Sequence, residues 1–311
     1  MADFMMHHTF AASFSHIALQ SAHHLMLGAQ GPDYFFYAVN DPTKAMRIGH
    51  RLHNENTRAF LIAWLEYAIK HENPRLLDTL LGFLTHYALD ITLHPYIYYY
   101  TGNYREDDAS THTYAGLHVQ FENKVDIAFI KAHLNLDLQK QHVLKKVLPL
   151  KTLPKDIKDA MSAVSKTVYD EEDAGSLYAK GYRTMRLVYR LFIRDVTGLK
   201  RRLFTRILGY KKPKMVYLQD LSHAQRIDDF DYLNKNKLTW YHPVTNDGRQ
   251  ESVEQLYQEA STLAQSWIQL AKDAYTKKDA SLLASLPNAS YDTGLDLSCD
   301  QTMTHFKLYN D

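Results

Sequence analysis

The chain has 311 residues, 45% of them hydrophobic, with 36 basic against 35 acidic side chains and a formal net charge of +1. That apolar content suffices for one large or two small globular domains, and it excludes intrinsic disorder and any overall charge steering the chain to nucleic acid or membrane. A single cysteine, Cys299, excludes an internal disulfide framework and a cysteine-based zinc site, so a metal here would rely on histidine and carboxylate.

The first residues carry histidines and Asp3 but no basic residue before Lys44, a pattern unlike a secretory signal. No run approaches the roughly 18 uninterrupted apolar residues of a membrane span. The expectation is a soluble cytoplasmic protein. Helical periodicity dominates and strand-like alternation is missing, which predicts an all-α fold with helices near 9–27, 43–52, 54–72, 75–100, 112–134, 155–171, 175–207 and 250–276. Pro32, Pro74, Pro154, Pro213 and Pro243 mark breaks. A seam near Lys151 suggests a histidine-rich core over 1–150 and a helical part over 151–311 packed on it, as two units or one continuous domain; no flexible linker or internal repeat separates them.

Histidine is the anomaly, with 17 copies of which 12 precede residue 120. In HYALDITLH, His86, Asp90 and His94 are spaced i, i+4, i+8 and stand on one face of a helix whose other residues are apolar. In HVQFE, His118 and Glu122 repeat the i, i+4 spacing. Two such pairs on neighbouring helices can close a metal site. A lone buried histidine is more often hydrogen-bonded within a core than a ligand, but two pairs together shift that balance. The turn LGAQGPDYFFY adds Asp33, which taken alone reads equally well as a helix cap. HRLHNENT adds His53 with His50 as alternative, and MMHHTF adds His7 or His8. Thr85, Tyr87, Asn54 and Asp126 are candidates to orient these ligands, Asp126 foremost because it follows Glu122 by four residues. Tyr96, Tyr98, Tyr99 and Tyr100 either line a pocket for a head group or a base, or pack the core.

In order, His7 with Phe10, LGAQGPDYFFY, LHNENT, HYALDITLHPYIYY and HVQFE resemble the zinc-dependent phospholipase C family of bacteria, including its cytoplasmic branch. The likeness is strongest through residue 126, and WYHPVTNDG at 240–248 and NASYDTGL at 288–295 extend it. It implies a helical fold with a cluster of zinc ions, shared with secreted phospholipases C and single-strand nucleases. By that resemblance Asp33, His53, His86 and Asp90 match the ligands of a first zinc, and His94, His118 and Glu122 those of a second. His7 matches the side-chain ligand of a third, with Asp33, or else Asp90, as bridging carboxylate. Secreted relatives complete the third site with an N-terminal tryptophan where this sequence reads Met1, Ala2. The third site would thus be weak, empty, or completed by water or His8, leaving two or three zinc ions. The gap between Asp90 and His94 is also shorter than in secreted enzymes, which suits one continuous helix.

The implied reaction is hydrolysis of a phosphate ester, phospholipase C-like, by in-line attack of a metal-activated water, with Asp33 and Asp90 as the catalytic carboxylates. A nuclease or nucleotidase using the same site, or a non-catalytic metal-binding scaffold, is the alternative. A further feature lies at 180–214, with twelve basic residues (Lys180, Arg183, Arg186, Arg190, Arg194, Lys200, Arg201, Arg202, Arg206, Lys211, Lys212, Lys214) against Asp195 alone. The apolar positions Tyr178, Tyr182, Met185, Tyr189, Phe192, Val196, Leu199 and Leu203 form a stripe expected to face a core or a partner helix. The basic side of 180–207 would contact an anionic membrane, with nucleic acid the lesser option, or be a solvated face balanced by the acidic loop Asp170 to Asp173.

Overall fold

The computed structural model describes residues 4–17, 20–105, 107–140, 142–193, 195–208, 221–224 and 227–310. Met1, Ala2, Arg194, Lys211, Lys212 and Lys214 lie outside the described residues, as does the side chain of Phe192. The molecule is 64% helical with 2% strand, so the all-α expectation holds. In chain order the helices are α1 (Phe4–Ser13), α2 (Ala22–Gly28), α3 (Pro42–Asn54), α4 (Thr57–Lys70), α5 (Pro74–Thr101), α6 (Leu117–Leu134), α7 (Leu144–Val147), α8 (Lys155–Tyr169), α9 (Ala174–Val188), α10 (Leu199–Leu208) and α11 (Val253–Lys277). Short 3-10 segments occupy Gly31–Tyr37, Ala109–Tyr114, Leu138–Lys140 and Ala280–Ser285. One small antiparallel hairpin pairs β1 (Trp240–Tyr241) with β2 (Gly248–Arg249), Trp240 opposite Arg249.

The axis of the fold is α5. It begins where the Asn73 side chain accepts from the Arg75 N–H and Pro74 supplies a preset φ, and it stops at Gly102, whose φ of 68° no other residue adopts cheaply. Its 28 residues span about 42 Å at helical rise. It is as long and apolar as a membrane-crossing helix, yet 94% of its most apolar window is buried among other helices. Around it pack α11, α2, α4, α6 and α1, while α8 and α9 close over α4 and the Gly31–Tyr37 turn. The apolar core is one contiguous cluster running from Phe4 to Tyr291.

Two expected helices are interrupted. The stretch 9–27 divides because the Ser13 hydroxyl donates back to the Phe10 carbonyl and Ser21 caps a new helix by accepting from the His24 N–H. The helix instead starts earlier, at Phe4, and so carries His7. The stretch 175–207 passes through a π turn at Tyr189–Ile193 and then breaks at Gly198, with φ of 69°, before α10. The helix expected from 112 starts at Leu117, after a 3-10 turn and Gly116.

Pro95 sits inside α5 and cannot donate to the Ile91 carbonyl. Gly294 packs onto that carbonyl with φ of 70°, and a Cβ there would lie 2.3 Å from the Ile91 oxygen. This contact presses the C-terminal segment 288–295 against the ligand-bearing turn of α5.

Candidate metal centre

His86, Asp90 and His94 point from consecutive turns of α5 into the middle of the molecule, all three without exposed surface. Neighbouring elements face that stripe. Gly31, with φ of 50°, opens the turn that presents Asp33, and a Cβ on Gly31 would sit 2.3 Å from the His86 ring, so the close approach needs glycine. His53 comes from the last turn of α3, His7 from α1, and His118 and Glu122 from α6. Three groups converge to within 4.8 Å, namely His7, Asp33 and His86; His53, His86 and Asp90; and His94, His118 and Glu122.

His86 belongs to the first two groups, and Asp90 joins the third to them. Asp90 lies 3.2 Å from His7 Nε2, 2.9 Å from His86 Nε2 and 3.7 Å from His94 Nε2. Asp33 lies 3.3 Å from His53 Nε2 and 3.9 Å from His86 Nε2. Glu122 lies 2.9 Å from His118 Nε2 and 3.3 Å from His94 Nε2. The His7 and His86 rings stack at 4.1 Å.

Three of the imidazoles are oriented by backbone. His86 Nδ1 contacts the Ala29 carbonyl at 3.1 Å, His53 Nδ1 the Gly49 carbonyl at 2.8 Å, and His94 Nδ1 the Tyr291 carbonyl at 2.9 Å. A carbonyl only accepts, so each Nδ1 carries the proton and each Nε2 turns a lone pair toward the carboxylates. The side chains expected to do this do other work. Thr85 donates to the Gly82 carbonyl, Tyr87 reaches the Pro287 and Ala289 carbonyls, and Asp126 accepts the Met5 N–H at 3.1 Å, which anchors α1 and hence His7. Asn54 donates to Asp292.

Both oxygens of Asp33 and of Asp90, both ring nitrogens of His7, and Nε2 of His86 and His94 are buried without a hydrogen-bonding partner. Each orphan of this kind costs on the order of 1–3 kcal/mol in a folded core, more for a charged group. A cluster of them facing one another is a donor set for cations, and imidazole with carboxylate suits zinc. The electrostatics agree. Burial would raise the Asp90 carboxyl, but His86, His94 and His7 hold it well below its ordinary range. Asp33 is likewise lowered against burial by His86 and His53, and Glu122 by His118 and His94. Burial would discharge His86 and His94, but Asp90, helped by Asp33 at His86 and by Glu122 at His94, outweighs it and holds both above the ordinary imidazole value. At His7 and His118 burial prevails and the neutral imidazole is favoured.

The alternatives resolve by position. His8 lies outside the three groups, and burial with Lys146 nearby depresses its pKa to about 4. His50 is exposed, edge-on to Phe36. Of Tyr96, Tyr98, Tyr99 and Tyr100, it is Tyr98 that lines the centre, its ring 4.6 Å from His118 and 5.9 Å from His94. Tyr96, Tyr99 and Tyr100 pack into the core, Tyr96 donating to the Tyr232 carbonyl.

All eight candidate ligands fall within residues 3–171, which match the family described as zinc dependent phospholipase C. The chain belongs to that family. Neither a curated protein nor a solved structure matches it. As a family member it is a metal-dependent hydrolase of phosphoric esters.

The matched region does not close the site by itself. Asp292, overlooked in the sequence, lies 3.9 Å from His94 Nδ1 and is held by the Asn54 amide at 2.8 Å, while Ser290 donates to the Asn54 carbonyl oxygen. The Tyr291 N–H donates to the His53 carbonyl at 2.9 Å, and its ring stands 5.1 Å from His53 and 5.8 Å from His86. The only sequence signal was the phrase NASYDTGL, whose glycine now has a reason.

Proposed function

We propose that the eight side chains hold two or three zinc ions and that the enzyme cleaves phosphodiesters of the phospholipid type. The observation that carries this is the convergence of three buried carboxylates with five imidazoles, most of them lacking other partners, inside a zinc-dependent family. Asp33, His53, His86 and Asp90 would form one ligand set, and His94, His118 and Glu122 another. Asp90 and His7 would form the third. Asp90 pairs with histidines of all three sets whereas Asp33 pairs with His53 and His86, both of the first, which favours Asp90 over Asp33 as the bridging carboxylate.

Bound zinc would supply Lewis-acid stabilisation of phosphate oxygens and a water acidic enough to ionise near neutral pH. The chain's own part is arrangement. The carbonyls of Ala29, Gly49 and Tyr291 hold each Nε2 in place. Asp33 would hold zinc through one carboxylate oxygen and leave the other to accept the proton of the attacking water. The wall formed by Tyr291 and Tyr98 keeps bulk water from the buried carboxylates. The membrane partner proposed for 180–207 supplies the lipid face from which such a substrate would come.

The test is metal analysis of tag-free, chelator-free protein, followed by hydrolysis of bis-p-nitrophenyl phosphate, phosphatidylcholine, single-stranded nucleic acid and nucleoside monophosphates. At least two zinc equivalents and chelator-sensitive turnover lost in His118→Ala are expected. Folded metal-free protein with no turnover on any substrate would leave a scaffold; turnover confined to nucleic acid or nucleotides would replace the lipid reading.

A further inference from the structure

The expected stripe of 178–203 is buried only in part. Tyr178, Tyr182, Met185 and Tyr189 are in the core, but Val196, Leu199 and Leu203 are between 47% and 66% exposed, and Leu187, Leu191 and Ile207, outside that stripe, between 46% and 54%. In α10 the positions Leu199, Leu203 and Ile207 recur at i, i+4, i+8 and so form one outward ridge, flanked by Arg202 and Arg206, and the helix LKRRLFTRIL contains no acidic residue. Arg183 and Arg190 accompany Leu187 and Leu191 on the outer side of α9 and its π turn. A cleft of about 490 Å³, lined by Val143, Leu144, Tyr189, Arg190, Val196 and Leu199, joins the end of α9 to the start of α10 in one surface.

The acidic loop does not balance this charge. Asp170 and Glu172 pair with Lys166, Glu171 with Arg47 and Arg51, and Asp173 with Lys44. Asp195, the acidic residue within the stretch, is buried and accepts the Arg201 N–H at 2.7 Å. Among the described residues Arg183, Arg190, Arg202 and Arg206 form no ion pair.

We propose that α10 and the outer face of α9 form a docking surface for an anionic lipid bilayer, with Leu199, Leu203 and Ile207 entering the acyl boundary and the four arginines meeting phosphate. A ridge of aliphatic side chains bordered by long cations is the pattern of an interfacial helix, in which the apolar edge supplies burial and the arginines extend to the head groups. An acidic protein partner would match the charge, but leaves a protruding aliphatic ridge without a groove to fill. This inference rests on the phospholipid reading for its purpose, not for its chemistry. The surface also adjoins the metal centre's first helix, because the Tyr189 ring packs edge-on against Phe4 at 4.5 Å, one turn before His7.

The full-length zinc-loaded protein should sediment with vesicles of phosphatidylcholine containing about a third phosphatidylglycerol and not with phosphatidylcholine alone. Replacing Leu199, Leu203 and Ile207 by Gln should lower the partition coefficient on the order of a thousandfold, given about tenfold per buried aliphatic side chain, and leave hydrolysis of soluble bis-p-nitrophenyl phosphate unchanged. Replacing Arg183, Arg190, Arg202 and Arg206 by Gln should abolish the anionic preference seen at low salt. A Leu203→Trp probe should shift its emission to the blue on anionic vesicles and be quenched by brominated lipid, against the buried Trp64, Trp240 and Trp267. Unchanged binding of the Gln ridge variant, an unquenched probe, or tighter capture by polyglutamate than by vesicles would overturn the proposal. Intact vesicle binding without turnover of any phosphate ester would support docking while counting against the hydrolase reading.

Discussion

Two helical regions of this enzyme carry the same kind of pattern with opposite outcomes. In α5 a polar stripe, His86, Asp90 and His94, is wholly buried; in α10 an apolar stripe, Leu199, Leu203 and Ile207, faces out. Periodicity says which residues share a face. It does not say what covers that face. For α5 the cover is the convergence of α1, α3, α6 and the Gly31 turn, each bringing a complementary side chain, so the buried polar groups face one another in sets that could hold a metal. For α10 the described neighbours leave the ridge uncovered and flanked by Arg202 and Arg206, which is the surface proposed to dock on a bilayer.

The comparison breaks most severely at Asp90. Asp90→Asn removes the carboxylate that faces three imidazoles, and should lower zinc content by at least one equivalent and kcat/KM by about a thousandfold or more, the several kcal/mol of charge stabilisation that a metal supplies. Retained metal and activity would show that Asp33 bridges instead. Chelation comes next. The folded protein binds zinc where the unfolded chain has no formed site, so at free zinc a thousand times Kd the metal adds about 4 kcal/mol, seen as a fall in melting temperature on chelation and recovery on readdition. An unchanged melting curve would mean a cluster that folds without need of cations.

The C-terminal segment offers an intermediate test. Gly294→Ala places a methyl 2.3 Å from the Ile91 carbonyl at φ of 70°, and should cost about 1–3 kcal/mol while withdrawing the Tyr291 carbonyl from His94. Asp292→Asn, by contrast, should keep its zinc and lose activity about 10- to 100-fold, as outer partners of metal ligands do. Equal loss of metal and activity in Asp292→Asn would make it a ligand in its own right.

Proton linkage is smaller and has a definite sign. Asp90 raises the pKa of His86 and His94 above 6.5, so both are protonated in metal-free protein at mildly acidic pH and must lose that proton to bind zinc. Apparent zinc affinity should therefore rise with pH through the neutral range and release protons, which titration calorimetry in buffers of different ionisation enthalpy will count. No proton release would mean imidazoles already neutral. The smallest effect belongs to the exposed ridge: Leu203→Gln should change stability in solution by no more than about 0.5 kcal/mol, since the side chain is 51% exposed. A larger loss would show that the ridge is packed against something.

Residue spacing alone determined that the chain is helical, that His86, Asp90 and His94 share a face, and that His118 and Glu122 share another, because a helix repeats every 3.6 residues wherever it lies. Short turn motifs added Asp33, with His53 or His50 and His7 or His8 left open by the residues themselves. The choice of His7 over His8 needed the register of α1, set by Met5 bonding to Asp126 some 121 residues away. The orientation of His94 needed a carbonyl 197 residues distant, and Asp292 reaches the centre only because Pro95 opens a carbonyl in α5 that Gly294 can approach. Whether the stripe of α10 was core or surface was likewise settled by what packs beside it. Local spacing fixes faces within an element, while partners between elements depend on contacts that no stretch of sequence contains.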